Sequence, residues 1–286
     1  MILSFHPCLE ADANIILGSR RLNNNDLDLI RNADAIILPQ ARPEEIYKAC
    51  SGCGALMFPN YEARFKYPGK IGQARLFKEH GLPHPETICW RSVEQYEQSF
   101  PAGSESLPHS LPFLIKDDKT HEAEGVFLVE DRSGLESSLG FLRQWESSGR
   151  SGFITQAFVP SEGNVLRVVI VGKRIISYWK RPSDSVGLIT TISRGAKVDH
   201  HWRPDLKEKG HIAVSRLALM SGINLAAADL VFSMLEKEPE PFFLEINYYF
   251  GREGLGGSQS YYQMLYQAVR NWLKDGGYDP DAVKLV

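Results

Sequence analysis

The sequence predicts an α+β protein, with a small parallel α/β unit at its start and a larger mixed unit rich in antiparallel strands after it. Three observations carry that expectation. The first seventy residues alternate short apolar runs with helical segments, the βαβα rhythm of a small parallel sheet flanked by helices. The run "LRVVIVGKRIISYWKRP" (166–182) doubles back at Gly172-Lys173 and reads as a hairpin. The chain has 286 residues, 43% of them hydrophobic and 23% charged. That is more than one core comfortably fills, so two or three packed lobes are expected.

The elements follow in order. "MILSF" and "NIILG" are short apolar strands, and "NNNDLDLIRNA" offers asparagine caps before a short helix. "DAIILPQ" is a buried strand ending at Pro39. "PEEIYKACSGC" opens a helix with Pro43 and two acids and nears its end at Gly52, and "ALMFPNY" is the next strand. In "GKIGQARLFKEHGLPHP", Ile71, Ala74, Phe77 and His80 fall at helical spacing, with Gly81 ending the helix and Pro83 stopping it. "EQYEQSFPAGSESLPHSLP" passes from a short helix into a Ser/Pro-rich loop expected to be mobile. "PFLIK", "GVFLVED" and "FITQAFV" are strands, with a helix through "GLESSLGFLRQWESS" between the second and third. After the hairpin come a helix through "HIAVSRLALMSG", the strands "AADLVFS" and "PFFLEIN", and a last helix, "QSYYQMLYQAVRNWL".

A net charge of −3 gives no general pull toward nucleic acid or anionic membrane. The start has no basic segment leading an apolar one, and no window reaches the roughly 18 apolar residues of a spanning helix, so a cytoplasmic location is expected. Cys8, Cys50, Cys53 and Cys89 are then reduced thiols. Cys50-Ser51-Gly52-Cys53 has the spacing of redox and zinc sites. With no second close pair, it is read as packing at a helix end.

The residues that carry chemistry are polar groups inside apolar strands. In "FFLEIN", side chains two apart share a face, so Glu245 and Asn247 project together, about 7 Å apart at Cα. Leu244 and Ile246 are expected on the opposite face. Asp229 is a second carboxylate within an apolar strand. Two neighbouring strands would place Asp229, Glu245 and Asn247 around one or two hard cations, or within a buried polar network. Lys116 closes the strand "LPFLIK", where it can reach into a cleft and hold phosphate as a point charge, or snorkel to solvent.

Taken together, "KIGQARLFKEHGLPHPET", "PFLIKDDKTHEAEGVFLVED", "FITQAFV", "LRVVIVGKRIISYWKR", "ISRG", "AAADLVF" and "FLEINYYFG" resemble the ATP-grasp superfamily. The branch resembled is that of carboxylate–amine ligases such as ribosomal-protein glutamate ligase and glutathione synthetase, and the resemblance covers roughly residues 66 to 274. It implies an N-terminal α/β domain over 1–68 and two α+β lobes, 69–160 and 161–286, gripping ATP. By the same resemblance Lys116 is the phosphate lysine and Gly125 belongs to the loop over the phosphates. Gln156, Ala157, Phe158 and Val159 are the adenine linker; the family's aspartate two before the arginine is Val165 here, and Asn164 is the candidate to serve the ribose in its place. Asp229, Glu245 and Asn247 are ligands of Mg²⁺ or Mn²⁺, and Arg167 and Arg194 meet phosphate or a substrate carboxylate.

The implied activity is an ATP-dependent, amide-forming ligase that activates a small carboxylate as an acyl phosphate and passes it to an amine, with no nucleic-acid or membrane partner and an oligomer possible. The alternative is an ATP-binding regulatory or scaffold protein without turnover. The chain departs from the family in the loop "KTHEAEG". There Thr120 and Ala123 replace glycines, and Glu122 and Glu124 add negative charge. It departs also at Val165, where the family has aspartate, and at Ile189 and Thr191 before the "RG" turn.

Overall fold

The computed structural model describes residues 1–40, 43–101, 103–120, 125–183 and 195–286. Its first sheet is built from β1 (Ile2–Ser4), β3 (Ala13–Asn14), β4 (Ala35–Ile37) and β5 (Leu56–Phe58), all parallel, in the order β3-β1-β4-β5. The segment "NIILG" is a strand only at its first residue; Ile15 and Leu17 are buried from irregular chain instead. Helix α1 (Asn24–Arg31) starts at a reciprocal capping box in which Asn23 and Asp26 satisfy each other's backbone N–H. Helix α2 (Glu44–Ser51) packs Cys50 into the core of this unit, and α3 (Glu62–Lys66) leads out of it. The short strand β2 (Leu9–Glu10) pairs with β15 (Lys284–Leu285) near the other end of the chain.

Helix α4 (Gly69–Glu79) turns Gly72, Leu76 and Phe77 inward, so the buried face is rotated from the predicted Ile71–Ala74–Phe77 stripe. It is followed by an antiparallel sheet in the order β6-β9-β7-β8: β6 (Thr87–Trp90), β7 (Phe113–Asp117), β8 (Val126–Val129) and β9 (Phe153–Ala157). With α5 (Val93–Ser99) and α6 (Arg132–Ser147) this sheet closes its own core of Trp90, Tyr96, Phe113, Ile115, Leu139, Leu142 and Phe153. The Ser/Pro-rich loop before β7 is anchored rather than loose at its end. His109 is buried there, with Nε2 3.2 Å from Thr155 Oγ1.

The third sheet is antiparallel throughout, in the order β12-β11-β10-β13-β14. Its strands are β10 (Val165–Val171), β11 (Arg174–Arg181), β12 (Lys197–Asp199), β13 (Leu225–Val231) and β14 (Phe242–Asn247). One face, with Leu166, Val168, Ala228, Leu230, Phe243 and Ile246, packs on α4 and α7 (Pro204–Ser221). On the other face Val169, Val171, Leu225 and Ala227 pack on α8 (Gly257–Asp275) and on Ile2, Ile37 and Phe58 of the first unit. The remainder of that second face carries the polar residues.

Leu244 and Ile246 do not share a face as alternation predicts. Asp229 pairs with Glu245 but Leu230 pairs with Phe243, so Leu244 is an extra residue in a β-bulge. The bulge resets the period by one, and Phe243 takes the core position beside Ile246.

Candidate active site

Strands β10, β11, β13 and β14 bring Arg167, Lys180, Asp229, Glu245 and Asn247 together on one face. Asp229 is their centre and is buried. Arg167 grips it through two parallel bonds, Nε to Oδ1 and Nη2 to Oδ2, both 2.8 Å. Lys180 Nζ donates to Oδ2 at 2.8 Å. Asn247 Nδ2 lies 3.4 Å from the same Oδ2 and 3.0 Å from Glu245 Oε1. Burial alone would raise the Asp229 carboxyl, but Arg167 and Lys180 outweigh it and hold it well below the usual carboxylate range. Burial pulls the Lys180 ammonium down, against the pull of Asp229.

Tyr178 stands opposite Arg167 across the hairpin, and Gly254 lies flat on its ring. A Cβ at 254 would fall 2.3 Å from Tyr178 Cζ, so only glycine lets the segment after β14 settle here.

The first lobe supplies the facing side. Lys116, on β7, is buried and donates to Gln156 Oε1 at 2.6 Å. Gln156 Nε2 donates to Thr87 Oγ1 at 2.9 Å, and Thr87 Oγ1 in turn to the Pro85 carbonyl at 2.7 Å. Burial lowers the Lys116 ammonium to about 8; Glu245 across the cleft opposes that shift, and neighbouring Lys70 adds to it. Lys70, at the start of α4, donates to the carbonyls of Asp117 (2.9 Å) and Thr120 (2.5 Å). The Ile71 N–H donates to Asp118 Oδ1 at 2.8 Å. Lys70 and Lys116 are therefore buried or half-buried cations held by neutral oxygens.

Gly125 adopts a φ of +64°, and a Cβ there would lie 2.9 Å from Thr120 Oγ1 and 3.0 Å from Asp117 Cβ. His121, Glu122, Ala123 and Glu124 of the phosphate-loop segment lie outside the described residues, as do Ile189, Thr191 and Arg194. Ala157 N donates to the Glu86 carbonyl at 2.9 Å, and Phe158 and Val159 are half-buried beyond the end of β9. Asn164 closes the turn into β10 by donating Nδ2 to the Ser161 carbonyl at 3.0 Å; its buried Oδ1 has no partner among the described residues.

Away from the cleft, Cys50 is fully buried, its thiol pushed up to about 12 by burial, and Cys53 Sγ donates to the Cys50 carbonyl at 2.9 Å. Among the described residues no group of three or more His, Cys, Asp or Glu side chains assembles as a metal site.

Sequence reasoning missed Lys70, Gln73 and Lys180. Gln73, on α4, treats the edge strand β14 as a neighbouring strand would: its Nε2 donates to the Ile246 carbonyl (2.9 Å) and its Oε1 accepts the Ile246 N–H (2.8 Å). Lys180 was within reach. A two-residue turn at Gly172-Lys173 pairs Val171 with Arg174, which carries Lys180 to the face of Arg167.

No family model matches the chain. A curated relative, β-citrylglutamate synthase B of Danio rerio, is 24% identical over 153 residues, 53% of this chain and 35% of the relative, so the match spans about a third of that protein's length. D-alanine–D-alanine ligase of Bacillus anthracis, in complex with ATP, superposes with a TM-score of 0.60 at 14% identity, over 93% of this chain and 88% of that one. An ATP-grasp RimK domain protein of Sphaerobacter thermophilus superposes with a TM-score of 0.58 at 14% identity, over 92% and 97%. Likeness at these identities is likeness of architecture, and on it the chain has the ATP-grasp fold.

Proposed function

We propose that the chain is an ATP-dependent carboxylate–amine ligase that activates a small carboxylate as its acyl phosphate and joins it to an amine. The observation that carries this is the pair of first-lobe lysines at the cleft. Lys70 and Lys116 donate to neutral oxygens and, among the described residues, neither touches a carboxylate directly, although Glu245 lies near both and Asp117 and Asp118 lie near Lys70. A desolvated ammonium without a direct carboxylate contact suits an anionic ligand, and a triphosphate supplies that charge. The names of the similar proteins, D-alanine–D-alanine ligase with ATP and β-citrylglutamate synthase, support ATP as the nucleotide and an amino acid or a small polycarboxylate as the class of substrate.

Within this reading, Gln156 does two things. Its side chain sets the Lys116 head, and its strand leads to Phe158 and Val159, whose backbone beyond β9 is the edge offered to adenine, since the backbone of Gln156 and Ala157 is paired inside the sheet between β6 and β7. A ribose hydroxyl would reach Oδ1 of Asn164, since Nδ2 holds the turn. Arg194 and the segment around Gly125 complete the phosphate contacts, and Arg167 orients toward a substrate carboxylate or phosphate only as far as its grip on Asp229 allows. Units 1–68, 69–160 and 161–286 are the working divisions. Four free thiols suit a reducing, cytosolic compartment.

The donor set fits one hard cation. Glu245 is half-exposed and accepts at Oε1 from Asn247, whose Oδ1 is an amide oxygen of the kind Mg²⁺ or Mn²⁺ takes. Asp229 offers less, because both its oxygens already accept from cations. When bound, the metal neutralises charge developing on the transferred phosphoryl group.

The test is ADP release on addition of pooled amino acids and small carboxylates, with and without Mg²⁺. The parent releases ADP only with Mg²⁺, and Glu245→Gln falls to background at an unchanged melting temperature. Undiminished turnover in Glu245→Gln would remove the metal role.

A further inference from the structure

We propose that Lys180 is a built-in cation: its ammonium stands on Asp229 in the position of a second divalent ion, so that the cleft takes one divalent cation per nucleotide, held by Glu245 and Asn247. The inference rests on the reading above, that the cleft binds a nucleoside triphosphate with a divalent metal.

The first argument is valence. A carboxylate has two oxygens and about four lone-pair directions. Arg167 uses one on each oxygen of Asp229, Lys180 uses a second on Oδ2, and Asn247 Nδ2 approaches the same atom at 3.4 Å. A divalent ion on Oδ2, at the roughly 2.0–2.1 Å that Mg²⁺ requires, would have to displace the ammonium or stand against it, and on the one direction left at Oδ1 it would stand beside the Arg167 guanidinium. Displacement is made costly by burial. The Lys180 side chain is 5% exposed and its strand is paired on both sides, with β10 and with β12, so moving the ammonium off Asp229 would leave a buried cation unpaired.

The second argument is charge. Arg167 alone neutralises Asp229, in a bidentate pair that is complete as it stands. A structural ion pair needs no second buried cation, and desolvating one is costly. Arg167, Lys180 and Asp229 together carry one positive charge, which Glu245 on the same face balances. The Lys180 ammonium thus supplies at Asp229 the positive charge that a second metal ion would otherwise contribute.

The experiment counts Mn²⁺ bound per chain from the loss of the free-ion electron spin resonance signal, with the β,γ-imido analogue of ATP held at saturation. The expected count is one for the parent and for Lys180→Arg, and two for Lys180→Met, which frees Asp229 Oδ2 while keeping the aliphatic stem. Glu245→Gln should lose the single ion. Two ions in the parent overturn the proposal, as does a single ion in a folded, nucleotide-bound Lys180→Met. Should Lys180→Met fail to fold, Lys180→Gln gives the same comparison, and the parent count still decides between one ion and two. A calorimetric titration of the analogue separates the levels of failure: no binding sinks the nucleotide reading and this inference with it, whereas binding with two ions sinks this inference alone.

Discussion

Burial brings Lys116 from its ordinary 10.5 to about 8, and this gives the cleft a pH dependence with two opposite signs. Between about 8 and 10.5 the unfolded chain keeps the proton that the folded chain has released. This lysine therefore makes stability rise with pH across that window. Ligand affinity moves the other way, because the neutral amine no longer meets phosphate. Binding of the imido analogue should weaken by roughly tenfold to thirtyfold between pH 7 and 9.5, and Lys116→Arg should flatten most of the loss. Isothermal titration at the two pH values checks it; an equal loss in the arginine variant would assign the effect to Lys70 or elsewhere. Lys116, Asp229, Glu245 and Asn247 were legible in sequence because each interrupts or ends an apolar run, where a polar side chain needs a reason. That Arg167 and Asp229 hold each other was not legible, since the alignment of β10 with β13 depends on a long-range contact that no local pattern encodes.

At the scale of elements, β14 explains both what alternation predicts and where it fails. Glu245 and Asn247 share a face as the period of two requires, while the bulge at Leu244 hands the core position to Phe243. A bulge leaves no mark in hydrophobicity, because Phe243 and Leu244 are both apolar. The strand lies at the edge of its sheet, and Gln73 of α4 satisfies the Ile246 backbone from outside. Gln73→Ala leaves that N–H and C=O unpaired at a partly buried site, which should cost about 1–3 kcal/mol in urea unfolding. It should also loosen Mn²⁺ binding severalfold, because the neighbours of Ile246 are Glu245 and Asn247. A stability loss with metal affinity unchanged would show that α4 supports the fold without setting the metal pair. The 172–173 hairpin and the βαβα start, apart from the irregular chain at 15–17, were read correctly from turn residues and apolar spacing. The anchored end of the Ser/Pro-rich loop was not, because composition cannot foresee His109 entering the core.

For the whole molecule, the chain reads as three units in sequence but packs as fewer. Strands β6 to β9 close a core with α5 and α6 alone. The first sheet instead lends Ile2, Ala35, Ile37 and Phe58 to the core that also holds Val169, Val171, Leu265 and Val269, so its underside is finished by residues from the far end of the chain. Cooperativity should follow packing rather than chain order. Native-state hydrogen exchange in rising urea should resolve two subglobal openings: one spanning residues 87–157, and a second in which amides of β1, β4 and β5 open at the same free energy and with the same urea slope as those of β10 and β13. Earlier opening of the first sheet by itself would break that coupling. If the two move together, the N-terminal strands cannot stay folded until residues beyond 260 arrive. A chain emerging from the ribosome would then hold residues 1–60 in waiting until about two hundred more had followed them out.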